Sequence, residues 1–282
     1  MYIFTSVPEM ARFARAQKRL SISIGFVPTM GYLHQGHLNL IREAKKHAQY
    51  VVCSIYVNPT QFAPGEDLEK YPRDAARDIE LLKQEECDAV FFPHTDEMYS
   101  DGHSTSIKVN GMTEILEGAS RPTHFEGVTT IVGKLFNIVR PDVAVFGQKD
   151  AQQAAVILQM TNDLNFDTDI VVLDTARDSD GLALSSRNTY LSAIERSEAL
   201  ALSRGLMAAA KEAQSGTTDA ARLKSLALAE IERTGVLKAE YVEVLDFAGY
   251  RPVDSIADAD RPLIAAAVRV GSVRLIDNMF LK

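Results

Sequence analysis

Short apolar runs alternate with helical periodicity over the first 175 residues. Ser23–Pro28 (SIGFVP) reads as a strand. His37–Ala48 reads as a helix, with Leu38, Leu40, Ile41 and Ala44 on or near one face. Tyr50–Val57 is a strand rich in β-branched residues, Asp74–Glu85 a helix, Ala89–Pro93 a strand and Gly127–Val139 a helix. Val143–Phe146, Gln152–Asp163 and Asp169–Leu173 continue as strand, helix and strand. Strands that are apolar throughout, alternating with helices, predict an α/β domain on a parallel sheet. Such sheets bind ligands at the carboxyl ends of their strands.

The pattern changes after about Arg177. Ser192–Thr234 is rich in Ala, Leu, Glu and Arg, and opens with Ser192-Ala-Ile-Glu195, a capping-box spacing. Gly216, Thr217 and Thr218 split this stretch into two helices. Three strand-like runs follow: Tyr241–Asp246, Leu263–Val270 and Val273–Leu281. The expectation is a catalytic domain over 1–176 and a smaller α+β domain over 177–282, with the turn-forming Asp178-Ser-Asp-Gly181 near the boundary.

Composition narrows the class. Of 282 residues, 46% are hydrophobic and 24% charged, ordinary for a globular chain and unlike a disordered or collagen-like one. Lys and Arg number 30 against 38 Asp and Glu, a net charge of −8. The sequence-independent attraction to nucleic acid or an anionic membrane needs a basic surface, so neither is an expected partner. No apolar run approaches a membrane span. The N-terminus lacks a basic stretch followed by an apolar one, so no signal peptide is expected. Cys53 and Cys87 form no Cys-x-x-Cys pair; they read as buried free thiols, in keeping with a cytoplasmic protein.

Candidate chemistry concentrates in Val27-Pro-Thr-Met-Gly-Tyr-Leu-His-Gln-Gly-His37. A strand ends, a short loop contains Gly31, and a helix begins near Gly36. His34 and His37 thus fall at a helix N-terminus, where free N–H groups and the positive dipole end favour phosphate. Two surface or core histidines, or a metal pair, are the alternatives. No Cys or carboxylate nearby completes a metal site.

His34-Gln-Gly-His37 resembles the His-x-Gly-His signature of the nucleotidyltransferase superfamily. With Pro28-Thr-Met-Gly31 before it, the segment is similar to the pantoate–β-alanine ligase family. Five further segments resemble that family in order: Tyr56-Val-Asn-Pro-Thr-Gln-Phe62, Asp67-Leu-Glu-Lys-Tyr-Pro-Arg73, Glu117–Gly127, Val145-Phe-Gly-Gln-Lys-Asp150 with Gln152 and Gln153, and Asp180–Asn188. The resemblance implies a Rossmann-like nucleotide-binding domain followed by the smaller α+β domain, and a homodimer. It implies that ATP and pantoate give pantoyl adenylate and pyrophosphate, and that β-alanine then displaces AMP to form pantothenate. ATP is a substrate carried with Mg²⁺, and no tightly bound organic cofactor is implied.

Residue by residue, the resemblance places Met30, Gly31, Tyr32, Leu33, His34, Gln35, Gly36 and His37 at ATP, with His37 the proton donor. It places Gly147, Gln148, Lys149 and Asp150 there too, with Ala176, Leu184, Ser185, Ser186 and Arg187. His34, His37, Lys149 and Arg187 form the catalytic set. Two hydroxyls and a guanidinium fork at Ser185-Ser186-Arg187 suit pyrophosphate oxygens. Gln61 is implied to touch pantoate and β-alanine, and Gln153 to touch pantoate. Neutral amides orient an acid without an ion pair that would blunt its carboxylate. Asn58 and Arg121 are further pantoate candidates, and Asp78 a weak Mg²⁺ candidate. Pro28, Met30 and Val132 are candidates for the apolar wall of the pocket. The Glu66–Lys70 stretch and Tyr71-Pro72-Arg73 are a candidate lid. Without the resemblance, Lys149 reads as a solvated lysine, the glutamines as surface residues and Ser185–Arg187 as an exposed turn. The family more often has Glu at Gln148, an aromatic at Ala151, Val at Ala176 and Pro at Asp174. A nucleotidyltransferase that leaves the nucleotide on its product, and a non-catalytic nucleotide-binding module, remain alternatives.

Overall fold

The structure, a computed structural model, describes residues 1–66 and 68–281. Asp67, which opens one of the family-like segments, and Lys282, the end of the expected second domain, lie outside the described residues. The chain forms two units: Met1–Gly147 with Val156–Leu173, and Gln148–Ala155 with Asp174–Lys282.

The first unit is an α/β layer structure. Its strands are β1 (Tyr2–Phe4), β2 (Ile24–Thr29), β3 (Tyr50–Ile55), β4 (Ala89–Phe91), β5 (Val143–Gly147) and β6 (Asp169–Leu173). They form one sheet in the order β1-β4-β3-β2-β5-β6, every pair parallel. Parallel pairing needs crossovers, supplied by α1 (Val7–Arg19), α2 (Gln35–His47), α3 (Ala75–Gln84), the short α4 (Thr95–Met98) and α5 (Glu117–Ser120), and α6 (His124–Val139). The helix α7 (Ala151–Asp163) follows β5 and begins in the second unit.

Successive strand side chains point to opposite faces, and both faces are covered. Phe26, Val52 and Phe91 pack with Met10 and Ala14 of α1 and Ile131, Leu135 and Phe136 of α6. Val27, Val51, Cys53 and Val90 pack on the other face with Leu40, Ile41 and Ala44 of α2 and Leu82 of α3. Each of the larger side chains, Val, Leu, Ile, Phe or Met, contributes about 1.5–3 kcal/mol when fully buried. Strand order reverses between β2 and β5, which makes their carboxyl ends the switch point of the sheet.

The second unit is α+β. The strands β7 (Lys238–Asp246), β8 (Arg251–Pro252), β9 (Pro262–Val270) and β10 (Val273–Phe280) form an antiparallel sheet in the order β10-β9-β7-β8. The helices α8 (Ala193–Gln214) and α9 (Ala220–Ile231) cover it. Leu202, Leu206, Leu223 and Ile231 pack against Val244, Ile264, Val268 and Leu275. The Ser192–Glu195 capping box forms as the spacing predicts, with Glu195 N–H donating to Ser192 Oγ at 3.3 Å and Ser192 N–H to Glu195 Oε2 at 2.9 Å.

The apolar pattern does not announce β1, α1, α4, α5 or β8. The Tyr50 strand ends at Ile55 rather than Val57, where the chain leaves the sheet for a 3₁₀ turn at Pro59–Gln61 with Asn58 at its N-cap position. A continuous 1–176 domain also omits the return of Gln148–Ala155 to the second unit.

Candidate active site

Thr29 ends β2, and its Oγ1 accepts from Gly31 N–H at 3.1 Å and donates to Ser54 O at 2.8 Å. The chain then turns through two left-handed residues, Gly31 (φ 82°) and Tyr32 (φ 51°). A left-handed tyrosine is strained and persists only if its surroundings impose it. Asp78 on α3 imposes it: Oδ2 accepts from Tyr32 N–H at 2.7 Å and Oδ1 from Leu33 N–H at 2.8 Å. Arg77 adds its guanidinium 5.2 Å from the Tyr32 ring centre.

The loop delivers His34 to the N-cap of α2. His34 Nδ1 accepts from Gly36 N–H at 3.1 Å, and His37 Nδ1 accepts from His34 N–H at 3.2 Å. Imidazole is not among the favoured caps. An Nδ1 that accepts a hydrogen bond carries no proton, so each neutral ring holds its N–H at Nε2. The ring centres are 4.0 Å apart. The loop therefore places two imidazoles side by side, their planes 34° apart, at a helix N-terminus. Gln35 and Gly36 open the helix beside them, and Lys45, Lys46 and His47 complement the dipole at its far end.

Asp78 does not fit the Mg²⁺ role considered from sequence. It is 1% exposed and both its oxygens are engaged by the loop. No group of three His, Cys, Asp or Glu among the described residues converges on a metal position. Burial raises its carboxyl above the ordinary aspartate range, against the N–H bonds of Leu33 and Tyr32.

Asn58 and Gln61 are buried together on the 3₁₀ turn after β3. Asn58 Nδ2 donates to Gln61 Oε1 at 3.3 Å and to Gly127 O at 3.1 Å, and Gln61 Nε2 contacts Met30 Sδ at 3.0 Å. Gln61 is thereby brought to the loop that carries the histidines. Arg121 is placed differently from the expected pantoate contact. Its Nε and NH2 donate to the two Glu66 oxygens at 2.7 and 2.6 Å, and NH2 also reaches Gln61 O at 3.2 Å. Its fork matches a carboxylate that the chain itself supplies, so it braces Gln61. His124 Nδ1 lies 2.9 Å from the same carbonyl. Of the candidate pocket walls, Val132 belongs to the sheet core. In the candidate lid, Arg73 donates to Tyr71 O at 2.9 Å and Leu68 O at 3.0 Å.

The remaining candidates lie in the second unit, apart from Gly147, which ends β5. Gln148–Asp150 form a 3₁₀ turn, with Lys149 Nζ 3.8 Å from Asp150 Oδ1. Gln153 is half-buried on α7. Ala176 and Leu184 meet through a 2.9 Å backbone bond that closes the Asp178–Gly181 turn. Ser185 caps the 3₁₀ segment Ser186–Tyr190, its Oγ accepting from Arg187 N–H at 3.3 Å. Sequence reasoning misses Asp78, Glu66 and His124 as parts that hold the site.

Comparison with known proteins accords with this geometry. The family model described as pantoate-beta-alanine ligase matches residues 2–280. Pantothenate synthetase of Heliobacterium modesticaldum is 50% identical over 282 residues, and that of Acetivibrio thermocellus 48% identical over 282, each with 100% of both chains covered. The crystal structure of pantothenate synthetase from Thermus thermophilus superposes with a TM-score of 0.92 at 38% identity, covering 100% of this chain and 99% of that one. A pantoate-beta-alanine ligase from Francisella tularensis, complexed with beta-gamma ATP and beta-alanine, gives a TM-score of 0.79 at 32% identity, covering 100% and 98%.

Proposed function

Because this chain belongs to the pantoate–β-alanine ligase family, enzymes that join an acid to an amino acid with ATP, we propose that it condenses pantoate with β-alanine through a pantoyl adenylate. In the first step a pantoate carboxylate oxygen attacks the α-phosphorus of ATP. The bond to the β-phosphate breaks and pyrophosphate leaves with the electron pair. In the second step the neutral amine of β-alanine attacks the acyl carbon. The bond to AMP breaks, the amine loses a proton, and pantothenate and AMP are released.

The observation that carries this reading is the pair of imidazoles at the start of α2, each with its Nδ1 accepting a backbone N–H, which leaves Nε2 as the donor. They are donors suited to phosphate oxygens, and His37 is the donor to charge that develops on the leaving group. Lys149 and Arg187 supply the compensating positive charge, and Ser185 and Ser186 the hydroxyl donors. Gln61 and Gln153 orient the acid, and Gln61 also the amine. Asn58 and Arg121 hold Gln61 in place. Orientation of this kind is worth several kcal/mol of the barrier, roughly 7–11 at the limit. Mg²⁺ enters with ATP as part of the substrate, held mainly by phosphates and water.

The test is release of pyrophosphate and AMP from MgATP, with pantoate and β-alanine added singly and together. Pyrophosphate that depends on pantoate, with sustained AMP release only when β-alanine is present, is the expected result. Pyrophosphate without free AMP would indicate a nucleotidyltransferase. No pyrophosphate under any combination would indicate a binding module.

A further inference from the structure

Asn278 lies on β10, in a segment without a family-like motif, and is 3% exposed. Its amide is spent on one turn. Nδ2 donates to Gln148 O at 2.8 Å and to Lys149 O at 2.9 Å, and Oδ1 accepts from Gln148 Nε2 at 2.9 Å. The Gln148–Asp150 turn runs directly into α7 at Ala151, so these bonds tie the first carbonyls of that helical stretch to β10. Asn278 holds two consecutive carbonyls of it. One belongs to Lys149 itself, so the amide fixes the backbone from which that flexible four-carbon side chain starts.

Asn278 is in turn held by its neighbour. Its N–H donates to Asp277 Oδ1 at 2.8 Å, and the buried Asp277 carboxylate takes both arms of Arg177, at 2.6 and 3.0 Å. Arg177 also donates to Gly181 O at 3.2 Å, in the turn that precedes Leu184–Arg187. One end of β10 thus anchors the Lys149 turn and, through Arg177, the turn leading to Arg187.

We infer that Asn278 is a positioning residue for Lys149 in the pyrophosphate-releasing step, a role that rests on Lys149 acting at the ATP phosphates. Aspartate at 278 keeps the size of the side chain but turns the two-hydrogen donor into an acceptor facing two carbonyls. Serine keeps a single donor.

The experiment compares the full chain carrying Asn278→Asp, Asn278→Ser, Lys149→Ala, and Asn278→Asp combined with Lys149→Ala. Exchange of labelled pyrophosphate into ATP reads the adenylate step, and thermal unfolding is followed alongside. Asn278→Asp is expected to lower the rate about tenfold to a hundredfold, in line with the effect of misplacing a catalytic group by ~1 Å. Asn278→Ser should fall between it and the parent, and the KM for β-alanine should not move. In the Lys149→Ala background, Asn278→Asp should cost less than about twofold, because residues that act through one another are not additive. An equal loss with and without Lys149 would overturn the inference, as would an unchanged rate in both Asn278 variants. An unchanged rate in Lys149→Ala alone would instead overturn the reading of Lys149, and the inference with it.

Discussion

The Tyr32–Leu33 loop of the first unit turns its N–H groups toward a carboxylate, while the Gln148–Lys149 turn of the second turns its carbonyls toward an amide. Asp78 and Asn278 do the same work with opposite polarity. Each is buried, each spends two polar bonds on consecutive backbone groups, and each sits at the root of a candidate phosphate-contacting side chain. The backbone dictates the choice. Left-handed residues at Gly31 and Tyr32 point N–H groups inward, and a charged acceptor makes stronger bonds with them than a neutral one. The Gln148–Lys149 turn presents two carbonyls to β10, and a neutral amide donates to both without burying a charge.

The largest expected effect lies in the first unit, at Gly127. A Cβ there would sit 2.6 Å from Thr60 O and 2.7 Å from the Cα and N of Gln61. The opposing atoms are backbone, so α6 or the 3₁₀ turn must move. Gly127→Ala is expected to cost about 3 kcal/mol, the upper end for overpacking, and to displace Gln61. Calorimetry should show a Tm lower by several degrees, and the KM for pantoate should rise. A fully active, equally stable variant would show that the Gln61 turn is not held by close contact with α6.

Exchanging the polarity of the first clamp comes next. In Asp78→Asn one of the two loop N–H groups faces an NH2 group, which costs about 1–3 kcal/mol for a buried unsatisfied donor. Pyrophosphate release should fall about tenfold or more through displacement of the imidazoles. Because burial raises the Asp78 carboxyl, it takes up a proton at a higher pH than an ordinary aspartate as the pH falls. Protonation removes one acceptor from the loop. The acid limb of the pyrophosphate-release profile should therefore lie above the ordinary aspartate range, and should be absent in Asp78→Asn. If Asp78→Asn retains the parental rate, the loop is set by Thr29 and Gly31, and the two units do not share a device.

The α/β alternation was legible because parallel strands and their covering helices leave periodic apolar traces in Ile24–Thr29, Tyr50–Ile55 and α2. The residues proposed to touch ATP stand out as short motifs, since Met30–His37 and Gly147–Asp150 are each contiguous. The clamps do not. Asp78 bonds a residue 46 positions away, Asn278 one 130 away, and Glu66 meets Arg121 at a separation of 55. A single polar partner at such distance leaves no period in the sequence. On its own helix Asp78 looks like any first-turn acid. Residues 1–20 escape notice for a related reason: α1 buries only Met10 and Ala14, so its apolar stripe is thin.

A smaller effect is expected where the first unit uses an ion pair rather than a clamp. Burial works to raise the Glu66 carboxyl, and its bonds with Arg121 outweigh this, holding it below the ordinary glutamate value. A lowered folded value means that the pair's stabilisation is complete above the unfolded glutamate pKa of about 4.3, and is lost as pH falls through the lowered value. The stabilisation is about 1 kcal/mol, because both side chains are largely buried but still reach solvent. Thermal unfolding of the parent and Glu66→Gln should differ slightly at pH 7 and converge near pH 3. A difference that persists at pH 3 would mean that Glu66 acts by packing alone.

The smallest expected effect is an absence of reaction, and it separates the two units. Both cysteines belong to the first unit, Cys53 in β3 and Cys87 just before β4, and both are free. They are 0% and 2% exposed. Burial pushes both thiols up, Cys87 to about 12. The reactive species is the thiolate, so neither access nor ionisation favours modification. At pH 8 the folded chain should show no fast reaction with an aromatic disulfide reagent, and two equivalents should react once it is denatured. Labelling at intermediate urea then reports opening of the parallel sheet alone, because the antiparallel unit carries no thiol. One fast equivalent in the folded chain would show that the β3–β4 region opens readily. The histidine loop, whose Thr29 bonds to Ser54 of β3, would then lack the rigid support that its left-handed tyrosine requires.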